Sequence, residues 1–180
     1  MTPPDPTGPL LTTERLELWL PQRSDIADMV DLTFDAETRR YLGGFVPDER
    51  DSFTRLTKNA GSWALWGYGV FAVRLKGQPR IIGSCGVFRS HRGFGPDLRM
   101  DNVAEAGWII HRDYWGLGLA RETMDAVLDW FDQTHGLQRI GCMIERGNTA
   151  SDALARRLGF VPYASHVLED DAEVVLYDRG

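Results

Sequence analysis

The segment WGLGLA, residues 115–120, places two glycines two positions apart between an apolar run and a helix-like stretch. Glycines in such a turn let backbone N–H groups approach a ligand. A helix starting just after them adds free N–H donors and the positive end of its dipole. Phosphate or pyrophosphate is the chemistry this arrangement serves. A mononucleotide P-loop is excluded, because it needs GxxxxGK[ST] and the only lysines, Lys58 and Lys76, lie far from Gly116. A dinucleotide fingerprint needs GxGxxG tight against its strand. Here the third glycine position is Arg121, and His111 to Trp115 intervene. Glu145, at the end of the next apolar run, imitates the ribose acid of that fingerprint, so the dinucleotide alternative stays open, as does a turn with a purely structural role.

Other residue types nearby bear on chemistry. Gly107, inside the apolar run VAEAGWII, marks a bulge or a close backbone approach. Asn148 opens a helix and suits an N-cap, and Ser151 in its first turn can satisfy a backbone donor. His111 beside the glycine turn could shuttle protons, or be a solvated loop residue. Cys85 and Cys142 lie in apolar stretches without CxxC or any Cys/His ligand spacing, which predicts buried thiols in a reducing compartment and no metal site.

The elements that must hold these residues alternate along the chain. Residues 11–20 read as a strand. Ser24 opens a helix with Ile26, Met29, Val30 and Phe34 as its apolar face, and Pro47 starts another with Phe53, Leu56 and Ala60 inward. Residues 68–75 and 80–88, joined by KGQP, form a predicted hairpin, with Trp63, Trp66 and Tyr68 ahead of it as core or pocket wall. Strand 103–110, helix 117–134 and strand 138–145 follow. The helix carries Ala120, Met124, Val127, Leu128 and Phe131 on one face. A helix over 149–158 and two closing strands complete an α+β pattern. Its central βαβ unit implies a right-handed crossover between parallel neighbours, with the glycine turn at the carboxyl end of a strand.

Three segments, in order, resemble the GNAT superfamily of acetyl-CoA-dependent N-acetyltransferases, in particular its RimJ/RimL-like branch. LTTERLELWLP resembles that branch's L-x-T-E-R-L-x-L-R opening. AEAGWIIHRDYWGLGLARE resembles E-I-G-Y-W-I…Y-W-G-x-G-Y-A-x-E, and NTASDALARRLGF resembles N-x-x-S…L-x-K-x-G-F. The resemblance implies a GNAT fold over residues 10–180, after a disordered extension over 1–9. That fold is a mixed, mostly antiparallel sheet with one splayed parallel pair and helices on both faces. It implies acetyl-CoA as cosubstrate, with pantetheine in the splayed gap, which should open at Gly107 and Trp108. The pyrophosphate would rest on the backbone of Tyr114, Trp115, Gly116, Leu117, Gly118, Leu119 and Ala120. Asp113 stands where the superfamily has Gln or Arg, removing one side-chain contact.

The resemblance also assigns chemistry. Glu105 falls where many members place the general base, and a Glu beside an apolar sheet suits that task because burial disfavours its charged form. A solvated or arginine-paired carboxylate is the other reading. Backbone N–H groups of Trp108, Ile109 and Ile110 would stabilise the oxyanion, and Asn148 would contact the pantetheine arm. The usual tyrosine acid falls at Ala155, which leaves Ser151 as proton donor to the thiolate.

Composition bounds the rest. A net charge of −6 over 180 residues argues against nucleic-acid binding. The apolar runs fall short of the roughly 18 to 20 residues of a membrane span. The expectation is one cytoplasmic domain, monomeric or homodimeric. The acceptor is a primary amine, either a protein N-terminus or a small molecule. An α-amine of pKa about 7.8 is roughly 14% neutral at about pH 7, and a lysine near 10.4 only about 0.04%, which favours the former. An aminoglycoside- or polyamine-type enzyme and a noncatalytic acyl-CoA sensor remain alternatives.

Overall fold

A computed structural model describes residues 8–43 and 47–180, so most of the predicted N-terminal extension lies outside the described residues. Among these residues, eight strands form one mixed sheet: β1 (Leu11–Thr12), β2 (Leu16–Trp19), β3 (Val70–Leu75), β4 (Ile81–His91), β5 (Asp101–Ile110), β6 (Ile140–Glu145), β7 (Val161–Val167) and β8 (Glu173–Arg179). Their order is β1-β2-β3-β4-β5-β6-β8-β7. Every neighbouring pair is antiparallel except β5 and β6. The α+β expectation and its parallel pair therefore hold.

Among the described residues, four α-helices flank the sheet: α1 (Ile26–Phe34), α2 (Glu49–Trp66), α3 (Leu119–His135) and α4 (Thr149–Arg157). Strand alternation sends Phe71 and Val73 to one face and Ala72 to the other. Met124, Val127, Leu128 and Phe131 of α3 share a core cluster with Phe71 and Val73, whereas Met29 and Leu32 of α1 cluster with Ala72 and Ile81. The helices thus cover both faces.

Four local expectations change. The single strand 11–20 is two short paired strands, because Thr13 N–H turns back to the Leu16 carbonyl at 3.0 Å. The first helix begins after a 3-10 turn, Arg23–Asp25, with Phe34 exposed rather than inward. In α2 only Leu56 of the three expected apolar positions is buried. That helix runs on to Trp66, and Trp63 packs against Phe71 and Trp130 while donating to the Val70 carbonyl. Of the two readings of Gly107, a bulge or a close backbone approach, the bulge is absent, since Gly107 pairs with Gly86 in an unbroken stretch of ladder.

Candidate active site

The parallel pair is where the sheet opens. Pairing of β5 with β6 covers only Ala104↔Ile140, Glu105↔Gly141 and Ala106↔Cys142. Beyond that, β5 continues against β4 as far as Ile110, and β6 continues against β8 through Glu145. The two strands have each kept an outer partner and lost one another. A cavity of about 550 Å³ occupies the gap, lined on the sheet side by Ala106 to Ile109 and Cys142 to Glu145. Gly107 and Trp108 mark its opening, as expected.

Backbone direction decides which β5 donors are free. His111 N–H donates to the Ile82 carbonyl at 2.8 Å, toward β4. By strand alternation Ile109 also faces β4, and the Trp108 and Ile110 N–H groups face the gap. The expected donor set therefore shrinks to Trp108 and Ile110.

The glycine turn shows the same economy. Tyr114 and Trp115 spend their N–H groups on His111 and Arg112 carbonyls, at 2.9 and 3.0 Å, closing the 3-10 turn Arg112–Tyr114. Both residues thus leave the expected backbone cradle, although Trp115 braces it by donating its indole N–H to the Ile110 carbonyl at 2.6 Å. Gly116, Leu117 and Gly118 follow, the two glycines at φ +74° and +75°, where a Cβ is strained. Leu119 and Ala120 begin α3, and first-turn N–H groups have no intrahelical acceptor. The donors available to a phosphate thus run from Gly116 to Ala120. His111 is built into this turn, its Nδ1 accepting from Asp113 N–H at 3.3 Å, and it does not line the cavity.

A clamp that sequence reasoning missed fixes the turn from outside. Glu122 accepts from the Thr13 hydroxyl at 2.5 Å, from Arg15 N–H at 2.9 Å and from Arg15 Nε at 2.7 Å, while Arg15 Nη1 donates to the Leu117 carbonyl at 2.9 Å. Burial acts to raise the Glu122 pKa, but the Thr13 and Arg15 hydrogen bonds outweigh it and hold the carboxyl below its usual range. The T-E-R-L segment and the glutamate of A-x-E were both visible as motifs; their meeting was not.

Glu105 is 2% exposed, and its two oxygens accept from Nε and Nη2 of Arg92. The arginine-paired reading of its surroundings is the one observed, in place of an apolar one, and Glu105 still lines the cavity. For Arg92, burial acts to lower the pKa, yet the Glu105 hydrogen bond and charge leave it raised. At the other side of the gap, Asn148 caps α4, its Oδ1 accepting from Ser151 N–H at 3.1 Å. Its side-chain nitrogen has no partner among the described residues. Ser151 Oγ accepts from the Trp108 indole at 3.2 Å and keeps its own proton to donate. Tyr177 is no substitute acid, because its hydroxyl is bound to Asp152 and burial, with that bond, pushes its pKa up to about 12.

An acetyltransferase (GNAT) domain model matches residues 15–161. The chain belongs to the GNAT acetyltransferase family. A GNAT-family acetyltransferase from Bordetella pertussis superposes with a TM-score of 0.84 at 30% identity, over 94% of this chain and 98% of that one. The uncharacterized N-acetyltransferase p20 of Bacillus licheniformis is 26% identical over 151 residues, 83% of this chain and 81% of its own. At the level of fold, the ribosomal L7/L12 alpha-N-protein acetyltransferase RimL, solved with coenzyme A, superposes with a TM-score of 0.71 at 18% identity, over 95% and 96% of the two chains. Membership fixes the GNAT fold and makes the chain an acetyl-CoA-dependent N-acetyltransferase; the acceptor is a separate question.

The cysteines give a first test. Burial pushes the Cys85 thiol up to about 12, and burial followed by the Glu105 charge raises Cys142 as well. A thiol reacts as its thiolate, the nucleophile that attacks the reagent's disulfide. Neither cysteine should therefore react with Ellman's reagent at about pH 8 until denaturant is added, and two equivalents should then appear. Prompt reaction of the folded protein would contradict the buried placement.

Proposed function

We propose that the enzyme, one catalytic domain over residues 10–180, transfers the acetyl group of acetyl-CoA to a primary amine by direct attack on the thioester. The observation that carries this reading is the loss of β5–β6 pairing after Ala106 and Cys142, with a cavity at that point. The residues present fit the cosubstrate. Trp108 and Ile110 offer N–H groups in the gap, Gly116 to Ala120 offer a run of donors at a helix start, and Asn148 lines the cavity. Acetyl-CoA supplies an activated acetyl group.

The chain's own residues then manage position and protons. Glu105, beside the start of the gap, receives the amine proton, directly or through one water. The Trp108 and Ile110 N–H groups face the position of the acyl oxygen. The Ser151 hydroxyl, polarised by the Trp108 indole, gives a proton to the departing sulfur. The acceptor is a protein N-terminal or small-molecule amine. A polyamine- or aminoglycoside-type acceptor and a noncatalytic acyl-CoA sensor are the competing readings. Two free buried thiols suit a reducing, cytoplasmic setting. The molecule acts as a monomer or homodimer without metal, nucleic acid or membrane.

A screen of amine acceptors, following acetyl-CoA-dependent thiol release, separates enzyme from sensor. Release that no amine accelerates would end the catalytic reading. Binding is tested separately by melting. Acetyl-CoA at about 100 times its Kd should stabilise the fold by about 2.7 kcal/mol, a rise in Tm of about 5–11 °C, whereas ATP and NAD should do nothing at equal concentration. A larger shift with NAD would revive the dinucleotide alternative.

A further inference from the structure

The cavity extends past the gap to α2, which turns Asp51, Thr54, Arg55, Lys58 and Asn59 toward it. A helix normally faces the interior with its apolar stripe. Here Ser52, Leu56 and Trp63 face the core, while exposed Asp51, Thr54 and Lys58 and half-buried Arg55 border the open side of the cavity. The charges on this face are unequally used. The Asp51 carboxylate accepts from Asp48 N–H at 2.8 Å in the capping box of α2. Arg92, the other cation of the cavity, is spent on Glu105. Arg55 and Lys58 form no hydrogen bond or ion pair among the described residues.

Arg55 is the more informative of the two. Its guanidinium is buried enough that desolvation lowers its pKa, and the Asp51 charge only partly compensates. Placing a cation there without a partner is unfavourable, and a ligand anion would relieve it. Elsewhere in the cavity the sign reverses. Glu145 ends β6 and Asp170 lies in the β7–β8 connection, near enough that Asp170's charge adds to burial in raising the Glu145 pKa. The walls therefore offer cationic groups on α2 and carboxylates at β6 and the β7–β8 connection.

We propose that the acceptor amine carries its own anionic group, a carboxylate or a phosphate, which Arg55 and Lys58 bind while the amine is presented to Glu105. The inference rests on the acetyl-transfer reading and narrows it. A polyamine or aminoglycoside offers Arg55 and Lys58 no anion and sets further positive charge against them.

The test compares matched acceptors at fixed acetyl-CoA: common L-amino acids against their amides, O-phosphoethanolamine against ethanolamine, and putrescine. In at least one matched pair the anionic member should exceed its neutral partner in kcat/KM by about 10- to 100-fold, the scale of a charge-assisted hydrogen bond. Whether the carboxylate or the phosphate pair shows it names the anion. Arg55→Gln should lower that ratio severalfold, and Arg55→Gln/Lys58→Gln should bring it close to one, with an acetyl-CoA melting shift confirming that each variant is folded. If Arg55→Gln does not fold, the ratios of the unaltered enzyme decide alone. Equal rates within every pair, or putrescine as the best acceptor, would overturn this inference and leave acetyl transfer standing. Thiol release that no amine accelerates would overturn both.

Discussion

Glu105→Gln is expected to lower kcat by about 10²- to 10⁴-fold, the range for losing a general base. The carboxylate's bond to Arg92 does not preclude the role. An ionised carboxylate offers about four lone-pair sites, and a bidentate guanidinium occupies two, so each oxygen retains one for the amine proton or a relaying water. The pair does mean that a stability loss accompanies the kinetic one. Removing one partner of a fully buried ion pair costs about 3–5 kcal/mol. Here the Arg92 side chain is 32% exposed and water can take up part of its charge, so the loss should be nearer 2 kcal/mol, or about 4–8 °C in Tm. The double variant Arg92→Gln/Glu105→Gln separates the two effects, because it leaves no unpaired charge. It should regain most of the lost Tm and none of the lost kcat. If it regains both, Glu105 serves structure alone and the amine proton leaves by another route.

The strand and helix pattern was legible because apolar periodicity records burial on the side of each element that faces the core. Phe71 and Val73 alternate with Ala72, and Met124, Val127, Leu128 and Phe131 recur at helical spacing. The glycine turn was legible because left-handed backbone at Gly116 and Gly118 calls for that residue type locally. What stayed hidden was pairing across distance. Arg15 and Glu122 stand 107 positions apart, and nothing in either neighbourhood announces the other. Arg92 follows β4, yet it decides what surrounds Glu105 on β5. The misreading of α2 has a different cause. Phe53 and Ala60 were placed inward because buried helix faces are ordinarily apolar, whereas Asp51, Arg55 and Lys58 line a cavity instead. Binding surfaces break the pattern by which cores are recognised. The backbone cradle was overdrawn for a related reason: a motif marks a segment, but hydrogen bonds within the 3-10 turn had already consumed the donors of Tyr114 and Trp115.

Ser151→Ala should lower kcat by about 10²-fold or more while leaving the acetyl-CoA Kd nearly unchanged. A proton given to the sulfur matters as charge develops there, and contributes little to ground-state binding. The competing account is that Ser151 merely holds α4 in place. The structure separates the two roles by atom. The capping contact uses the Ser151 backbone N–H, which donates to Asn148 Oδ1, and alanine keeps that N–H. Only the hydroxyl, with its bond from the Trp108 indole, is removed. A helix-positioning role therefore predicts little change in Ser151→Ala and a large one in Asn148→Ala, with Tm falling by the cost of a lost cap, about 1 kcal/mol or about 2–4 °C. An acid role predicts the reverse ranking in kcat. Trp108→Phe adds a third reading, since it removes the indole donor but leaves the serine. It should reduce kcat less than Ser151→Ala does, because an unassisted hydroxyl still donates. In the double variant the tryptophan change should cost little more, since both residues act through the one Oγ. If Ser151→Ala retains full kcat with a good acceptor, water must protonate the departing thiolate, and the Trp108–Ser151 contact does no more than orient the edge of the gap.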